Sequence, residues 1–343
     1  MNPALVRPLL LIGISILLLI VGQILLPGFL NANQVANQLK IAAFLGIFGL
    51  CQTIVMAAGG QGLDLSVGAT ATLGGILGAA IMHGSNGMTP LGGLAAIGAG
   101  LIVGSVNGIG VALLRIPPLV ATLAITSVVD GGVIVGVSLV QPSNAASPVL
   151  VTISGWATAG VPNIVLVWVV LATVAIWLLS FSAWGRRLTD TGANAMAALL
   201  SGTDTTDVRI GAYALSGGLA AFAGFMLTGY VGQAFYGLGD PYILTSIVIA
   251  AVGGVTLAGG RAPYLGVACA AIMMTVLVSL LTAIAIGEAG RQIIFGATLL
   301  GFLMLDRCMK GQLHKALFSG LRPRSRAAPV PAPSTMTNLR SGG

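Results

Sequence analysis

Two aspartates and one asparagine are the side chains whose chemistry stands out in this sequence. Asp64, Asn107 and Asp130 each lie beside glycines and within or next to long apolar runs. A carboxylate at the centre of a bilayer costs about 2.5–3.5 kcal/mol on insertion scales, and such acids usually face a cavity or a partner. These residues are therefore candidates for a polar path through a membrane or for polar contacts between packed helices.

Asp64 stands in the stretch GGQGLDLS, which separates two apolar runs. Glycine permits positive φ and close backbone approach, and Asp64 or Ser66 can cap the amides that open the next helix. We interpret the turn formed by Gly62, Asp64, Ser66 and Gly68 as a re-entrant or tight helix break at the cytoplasmic side, capped by Asp64. A direct role in a transport path is the alternative.

Asn107 and Asp130 fall inside apolar runs. Asn107 lies between Gly104 and Gly108, a spacing typical of a close helix crossing, with a pore-lining role as the alternative. Asp130 sits near the centre of its run, so it is expected to face a polar lumen, an arginine or another subunit. The other interpretation of Asp130 is a packing hydrogen bond beside a close contact made by the two glycines that follow it.

A short apolar stretch, TGANAMAALLSG, lies in a long polar loop and is too short to span a membrane. An apolar helix of this kind needs a partner groove or the membrane surface. We favour docking onto a partner protein. The residues predicted to form this docking segment are Gly192, Asn194, Ala195, Met196, Ala197, Ala198, Ser201 and Gly202.

The residue combinations that mark enzymes and metal sites are missing from the sequence. There is no Ser/His/Asp set and no pair of carboxylates, and His83 and His314 fall on opposite sides of the predicted membrane. Cys51, Cys269 and Cys308 lack metal-binding or disulfide spacing and are interpreted as small packing residues. No GxxxxGK[ST] motif occurs either. We therefore expect neither catalysis, nor a metal, nor a nucleotide in this chain.

The elements that position these residues are membrane helices. Hydrophobic residues make up 56% of the 343 residues, only 7% are charged, and the mean hydropathy is +1.01. Roughly 20 mostly apolar residues cross a bilayer as a helix, whereas barrel strands would alternate in polarity. We predict an all-α polytopic integral membrane protein with Gly/Pro-broken segments and ten spans, at 8–30, 36–57, 66–83, 90–113, 119–140, 163–183, 208–230, 243–258, 263–286 and 290–306.

Basic residues divide unevenly between the two faces that these spans create. One face receives only Lys40 and Arg291. The positive-inside rule makes the other face cytoplasmic and places both termini there. The net charge of +7 thus reflects membrane orientation, and no nucleic acid is expected as a partner. The cytoplasmic face is assigned Arg115, Arg186, Arg187, Arg209, Arg261, Arg307, Lys310 and Lys315.

The chain is predicted to divide into a membrane domain at 1–306 and a tail at 307–343. Two longer loops interrupt the membrane domain, an outer one at 141–162 and an inner one at 185–207. The tail is basic and rich in proline and serine, which predicts disorder in the cytosol. We expect it to be solvated, with contact to anionic membrane lipids as the alternative.

Four motifs follow one another along the chain. They are GLDLSVGA around Asp64, NGIGVALLRIPPLVATLA starting at Asn107, WGRRLTDTGANAMAALLSG in the inner loop, and GGVTLAGGRAPYLG after the eighth predicted span. Over residues 10–306 they resemble the permease subunits of bacterial sugar ABC importers of the ribose, xylose and galactose type. The Asp-Leu-Ser-Val core separates them from the related branched-chain amino-acid and nucleoside permeases.

The resemblance implies a half-channel in the inner membrane, paired with a second copy or a homologous permease. A periplasmic sugar-binding protein would deliver a monosaccharide, and a cytoplasmic ATP-binding subunit would bind ATP and Mg. This chain would then hold no cofactor and would not itself be an enzyme. The segment at 192–202 would be the coupling helix seated in a groove of the ATPase.

Four positions depart from the pattern of that family. Ala195 and Met196 stand where acidic residues are usual, and Thr203 stands where isoleucine is common. Asp130 stands where many members carry an arginine, which inverts a charge in or near the path. These differences would suit a subunit that works in a heterodimer.

Two other functions compete with the importer permease. An ion-coupled secondary transporter of a small polar solute would need titratable residues in several spans, and only Asp130 clearly qualifies. A membrane scaffold without transport activity is disfavoured by the glycine-broken helices. The importer permease is therefore the preferred hypothesis.

Overall fold

The structure is a computed structural model that describes residues 3–140, 143–155, 157–158 and 160–309. Contacts divide the chain into a unit that ends at Leu300 and a second unit that begins at Gly301. The second unit is described only as far as Met309, the end of the last described helix. That helix runs three residues into the predicted tail, and the remainder of the tail, 310–343, lies outside the described residues.

The described part of the chain is almost entirely helical. Two short strands, β1 (Ala157–Thr158) and β2 (Val161–Pro162), pair antiparallel. A single 3-10 turn spans Asn86–Met88. The helices are α1 Pro3–Leu25, α2 Ala32–Ala57, α3 Val67–Met82, α4 Thr89–Ala112, α5 Pro118–Val140, α6 Pro148–Gly155, α7 Asn163–Phe181, α8 Ala183–Ala193, α9 Ala195–Leu200, α10 Thr205–Val231, α11 Tyr242–Gly253, α12 Tyr264–Ala283 and α13 Glu288–Met309.

Each predicted span overlaps a helix, and the all-α polytopic membrane fold is confirmed. Seven of the described helices, α1, α2, α4, α5, α7, α10 and α12, are long and apolar enough to cross a membrane. Two others, α3 and α11, are apolar but have only 16 and 12 residues. At 1.5 Å per residue, these two reach only about 24 Å and about 18 Å. Ten complete crossings therefore remain a prediction.

The two short helices adjoin the two glycine-rich breaks. Residues 58–66 precede α3 and residues 254–263 follow α11, and neither break forms a regular helix. Positive φ angles at Gly59, Gly60, Gly254, Gly259 and Gly260 require glycine there. Because the residues of the two breaks are not helical, α3 and α11 are shorter than a complete membrane span.

The core is built around α10, which packs against α2, α3 and α4. The contacts are close enough for backbones to touch. A Cβ on Gly104 would collide with the Tyr213 carbonyl oxygen, and a Cβ on Gly224 would collide with the Ala71 carbonyl oxygen. The helix crossing predicted at Gly104 and Gly108 is thus present, against α10. Small residues permit this packing in a membrane, where helix association depends on van der Waals contact.

The two long loops carry structure that the sequence analysis did not predict in full. The outer loop contains α6 and the β1–β2 pair, in which Ala157 lies opposite Pro162. The inner loop contains a second helix, α8, immediately before α9. The helix α8 is amphipathic and buries Leu188, which anchors the inner loop to the helical core.

Candidate functional site

Three glycines from distant parts of the chain meet at one point. Gly59 comes from the break before α3, Gly192 from α8, and Gly259 from the break after α11. A Cβ on Gly59 would lie 2.7 Å from the Cα atom of Gly192, and a Cβ on Gly259 would collide with the Cα atom of Gly59. We call this contact of Gly59, Gly192 and Gly259 the glycine junction. It leaves no space for a larger residue.

Backbone contacts tighten the glycine junction further. The Gly260 amide donates a hydrogen bond to the Ala57 carbonyl oxygen at 3.1 Å, joining the end of α2 to the second break. A Cβ on Gly192 would strike that same carbonyl oxygen. The end of α8 is therefore in direct contact with both breaks, and a displacement of one element cannot leave the other two in place.

The helix α9 starts immediately after the glycine junction. Asn194 is its N-cap, and the Asn194 side chain accepts a hydrogen bond from the Ala197 amide at 3.1 Å. At the other end, the Ser201 hydroxyl donates to the Ala198 carbonyl oxygen at 2.8 Å, and Gly202 takes a φ of +86°. This local capping explains why a helix of only six residues forms here.

One side of α9 is apolar and exposed. Met196, Leu199 and Leu200 are 65%, 54% and 83% exposed, whereas Ala198 is buried against the protein. Ala195 is half-buried and Ala197 exposed. Exposed large apolar side chains clustered on one short helix are typical of an interaction surface. The predicted docking segment thus holds its apolar side chains outward, next to the glycine junction.

Asp64 is fully buried and accepts three hydrogen bonds. Its Oδ1 atom accepts from the Ser66 amide at 3.0 Å and from the Ser66 hydroxyl at 2.6 Å. Its Oδ2 atom accepts from the Ser216 hydroxyl on α10 at 3.1 Å. Ser216 lies eleven residues into α10, about 16 Å along the helix axis. The carboxylate therefore links the break before α3 to the interior of α10.

This geometry corrects the prediction that Asp64 caps the start of α3. Ser66 is the N-cap residue, and its side chain makes no capping hydrogen bond. Among the described residues, no amide of the first turn of α3 donates to Asp64 either. The carboxylate oxygens accept instead from Ser66 and from Ser216 on α10.

Two partners of Asp64 were missed in the sequence. The Gln52 amide holds the Asp64 backbone, because Nε2 donates to the Asp64 carbonyl oxygen at 2.6 Å while Oε1 accepts from the Asp64 amide at 3.3 Å. Gln52 and Ser216 are both completely buried. The available signal was a polar residue inside an otherwise apolar span, which usually marks a buried contact.

Asn107 joins the same polar cluster, whereas Asp130 does not. The Asn107 Nδ2 atom donates to the Ser66 hydroxyl at 2.7 Å, which connects α4 to the break. Its Oδ1 atom is buried without a partner among the described residues. Asp130 lies on α5 and is half-buried, and Asp240 acts on it electrostatically. The glycine contact proposed beside Asp130 is not found within the described chain, since Gly131 has nothing within 4 Å.

The turn glycines are required by close contacts. A Cβ on Gly62 would lie 2.7 Å from the Val55 carbonyl oxygen, and one on Gly68 would overlap the Ile243 side chain. Gly68 therefore packs the start of α3 against the start of α11. The site residues predicted from the sequence thus divide into the docking segment, the turn with Asn107, and Asp130 by itself.

Comparisons with known proteins agree with this architecture. Residues 34–303 match the model of a family described as the permease component of the branched-chain amino acid transport system. A permease protein of the autoinducer 2 import system, LsrC from Salmonella choleraesuis, is 30% identical over 334 residues, covering 93% of this chain and 91% of its own. The Escherichia coli K12 protein of the same name is 28% identical, covering 96% and 95%.

No solved structure matches the chain significantly. The family match covers most of the chain, and the relatives align over nearly their whole length. The chain therefore belongs to this permease family and is the multi-pass permease subunit of an ABC importer of the sugar type, located in the bacterial inner membrane.

Proposed function

We propose that this chain provides the membrane path for a monosaccharide, which a periplasmic binding protein delivers and a separate cytoplasmic ATPase drives inward. ATP and Mg would bind to that partner, and this chain would supply the path and its alternating access. Because the relatives are named as autoinducer 2 import permeases, autoinducer 2 is a second candidate solute.

The observation that carries the proposal is the exposed apolar side of α9. Leu200 is 83% exposed at the end of a helix that starts immediately after the glycine junction. Exposed leucines on a six-residue helix are removed from water when the helix enters an apolar groove on another protein, and this burial favours binding. The basic residues of the adjoining connections, Arg186, Arg187 and Arg261, support a cytoplasmic position for this surface.

The glycine junction gives the ATPase a route into the membrane domain. If α9 moves with the ATPase, Gly192 pushes on the break before α3 and on the break after α11 together. The breaks are the segments best able to change shape, because they lack regular helical hydrogen bonding. Alternating access would then arise from concerted movement of the short helices α3 and α11.

A second permease, either another copy or a homologue, is proposed to pack near α5. This helix is only 6% buried over its most apolar stretch, the least of the candidate spans described. It also carries Asp130, which lipid alone would not stabilise. A path formed between two permeases would place Asp130 next to water, with membrane lipid covering the remaining apolar helices.

An ion-coupled secondary transporter is the alternative. It would use carboxylates that can exchange a proton or bind an ion during transport. Asp64 does not suit that role well, because Ser66 and Ser216 already satisfy it in a closed site. This leaves Asp130, and a single half-buried acid is weak support for ion coupling.

The test replaces one exposed apolar side chain of α9, Leu200, by a charged one. In the variant Leu200→Glu, we expect retention of the ATPase by solubilised protein and ATP-dependent uptake to fall about tenfold. Leu114→Glu is the matched control, because Leu114 is 67% exposed in the connection that carries Arg115 and is not part of the docking segment. Unchanged ATPase retention and uptake in Leu200→Glu would overturn the proposal.

A further inference from the structure

A cavity lies at the end of α10 that is remote from α9. The helix α10 begins just after α9 and has 27 residues, about 40 Å of helix. The cavity has a volume of about 420 Å³, within the range of about 300–1,000 Å³ that is usual for small-molecule sites. Its walls come from α3, from α5, from the chain after α5 and from the chain after α10.

Two aromatic rings form part of the cavity wall. Phe235 and Tyr236 are 44% and 52% exposed, although they follow directly on a well-packed helix. Val133 and Val137 of α5 add apolar surface to the same cavity. Exposed neighbouring aromatic rings at a concave site offer flat faces to a ligand that has an apolar face of its own.

Hydrogen-bonding groups without a protein partner lie in the same wall. The side chains of Ser143, Asn144 and Tyr236 make no hydrogen bond within the described residues. Each of these groups, one amide and two hydroxyls, can donate as well as accept hydrogen bonds. These groups form a small part of a mainly apolar wall, and they can bond the hydroxyls of a sugar whose apolar face rests on the aromatic rings.

The polar and aromatic parts are fixed relative to each other. The Ala234 amide donates to the Asn144 carbonyl oxygen at 2.8 Å, and the Ala146 amide donates to the Gly232 carbonyl oxygen at 3.0 Å. Ala145 and Gln233 are paired as an antiparallel bridge between the two segments. Asn144 and Phe235 are therefore held in one arrangement before a ligand binds, which lowers the cost of binding.

Charge selects the kind of molecule that would fit. No charged side chain lines the cavity among the described residues. Asp130 lies on the same face of α5 as Val133, Ile134 and Val137, at helical spacings of three, four and seven. Asp240 follows the aromatic pair by four residues and acts on Asp130. Two acids near a neutral cavity repel anions and leave neutral solutes unaffected.

We infer that this cavity is a binding site for one neutral monosaccharide at the outer end of the path. The sugar would stack on Phe235 and Tyr236, while Ser143 and Asn144 bond its hydroxyls. The inference rests on the proposed function for the direction of transport. It adds the residues that recognise the substrate, which neither the family match nor the relatives assign.

The cavity is also connected to the turn that contains Asp64. Ile76 of α3 lines the cavity, and the Gly239 amide donates to the Thr72 hydroxyl one turn earlier on the same helix, at 3.1 Å. The start of α3 at Gly68 packs on Ile243. A ligand that shifts α3 would therefore act on the same break that α9 reaches through the glycine junction.

The experiment measures uptake by the complete importer of three labelled sugars, D-ribose, D-xylose and D-galactose. For the sugar that the wild type transports, Phe235→Ala and Asn144→Ala should each lower the uptake rate about tenfold. Tyr236→Phe keeps the ring and should lose less than Tyr236→Ala. The matched control is Phe181→Ala, since Phe181 is 68% exposed on α7, and its uptake should equal that of the wild type.

ATPase retention separates this inference from the proposed function. If the four cavity variants retain the ATPase and transport at the wild-type rate, the cavity is not the site, although the permease function stands. If the wild type retains the ATPase and transports none of the three sugars, the monosaccharide assignment is wrong. If the wild type never retains an ATPase, the proposed function itself fails.

A labelling experiment gives a second, independent result. In a complete importer whose permease carries serine at Cys51, Cys269 and Cys308, the variant Ser143→Cys adds one thiol at the cavity. A membrane-impermeant thiol reagent should react with it, and delivery of the transported sugar should slow that reaction. Labelling at the same rate with and without the sugar would overturn the inference.

Discussion

Gly59 and Gly192 touch backbone to backbone, because a Cβ on Gly59 would lie only 2.7 Å from the Cα atom of Gly192. These residues are far apart in sequence and belong to different motifs. Their contact brings the docking segment and the break before α3 into one structural unit. A displacement of the docking segment would therefore act directly on the segment that leads into α3.

Gly192→Ala is expected to abolish this link. Its methyl group would strike the Ala57 carbonyl oxygen, so the segments at the junction would have to move apart. Overpacking of this kind lowers the stability of the fold by about 1–3 kcal/mol. We expect ATP-dependent uptake to fall at least about tenfold, with the chain still present in the membrane. The control is Gly211→Ala, where the nearest neighbour of the new Cβ lies at 3.7 Å. Wild-type uptake in Gly192→Ala would show that the junction can move apart freely.

Asp64→Ala is expected to impair assembly more than substrate choice. The change leaves the hydroxyls of Ser66 and Ser216 without their shared acceptor, at a cost of about 1–3 kcal/mol. Membrane level and melting temperature in detergent should both fall, and Asp64→Asn, which retains an acceptor oxygen, should be intermediate. A well-assembled Asp64→Ala protein with an altered sugar preference would contradict the assignment.

Asp130→Asn is expected to reduce uptake while the amount of protein in the membrane stays normal. Asp130 is half-buried on a helix with few contacts, so the fold does not depend on it. The measurement is the initial uptake rate at equal membrane level, with Ser127→Ala, an exposed position on the same helix, as the control. Unchanged transport in Asp130→Asn would reduce the residue to a packing role.

Gly104→Ala tests the central helix crossing. The added methyl group would collide with the Tyr213 carbonyl oxygen. Because the clash is with the backbone of α10, the two helices would have to move apart. We therefore expect the variant to lose about 1–3 kcal/mol of stability. Gly98→Ala on the same helix has open space around its Cβ and serves as the control. Equal melting temperatures for the two variants would mean that α4 and α10 are less tightly packed than the structure shows.

The sequence alone located most of the helices. Apolar runs of sufficient length can only be stable as helices in a bilayer, so the span at 119–140 and the helix Pro118–Val140 nearly coincide. The docking segment was predictable for a similar local reason, since Asn194 and Gly202 punctuate a short apolar stretch. These features depend on neighbours in the chain, and the sequence contains those neighbours.

The position of Asp64 could not be derived in the same way. A carboxylate between glycines is compatible with a surface cap and with a buried contact, and only the packing of α10 supplies Ser216. The glycine junction likewise cannot be predicted from the sequence, because glycines such as these also occur in ordinary turns. Contacts between residues more than a hundred positions apart in the chain decide which role each of these residues takes.

The sequence by itself thus determined the membrane helices, their order and the family, since hydropathy and short motifs are local properties. The tertiary structure decided which glycines touch, which hydroxyls reach Asp64, and which side chains enclose the cavity near Phe235. The physical reason is that helix packing in a membrane depends on shape at close range. Such complementarity exists only once the helices have been brought together.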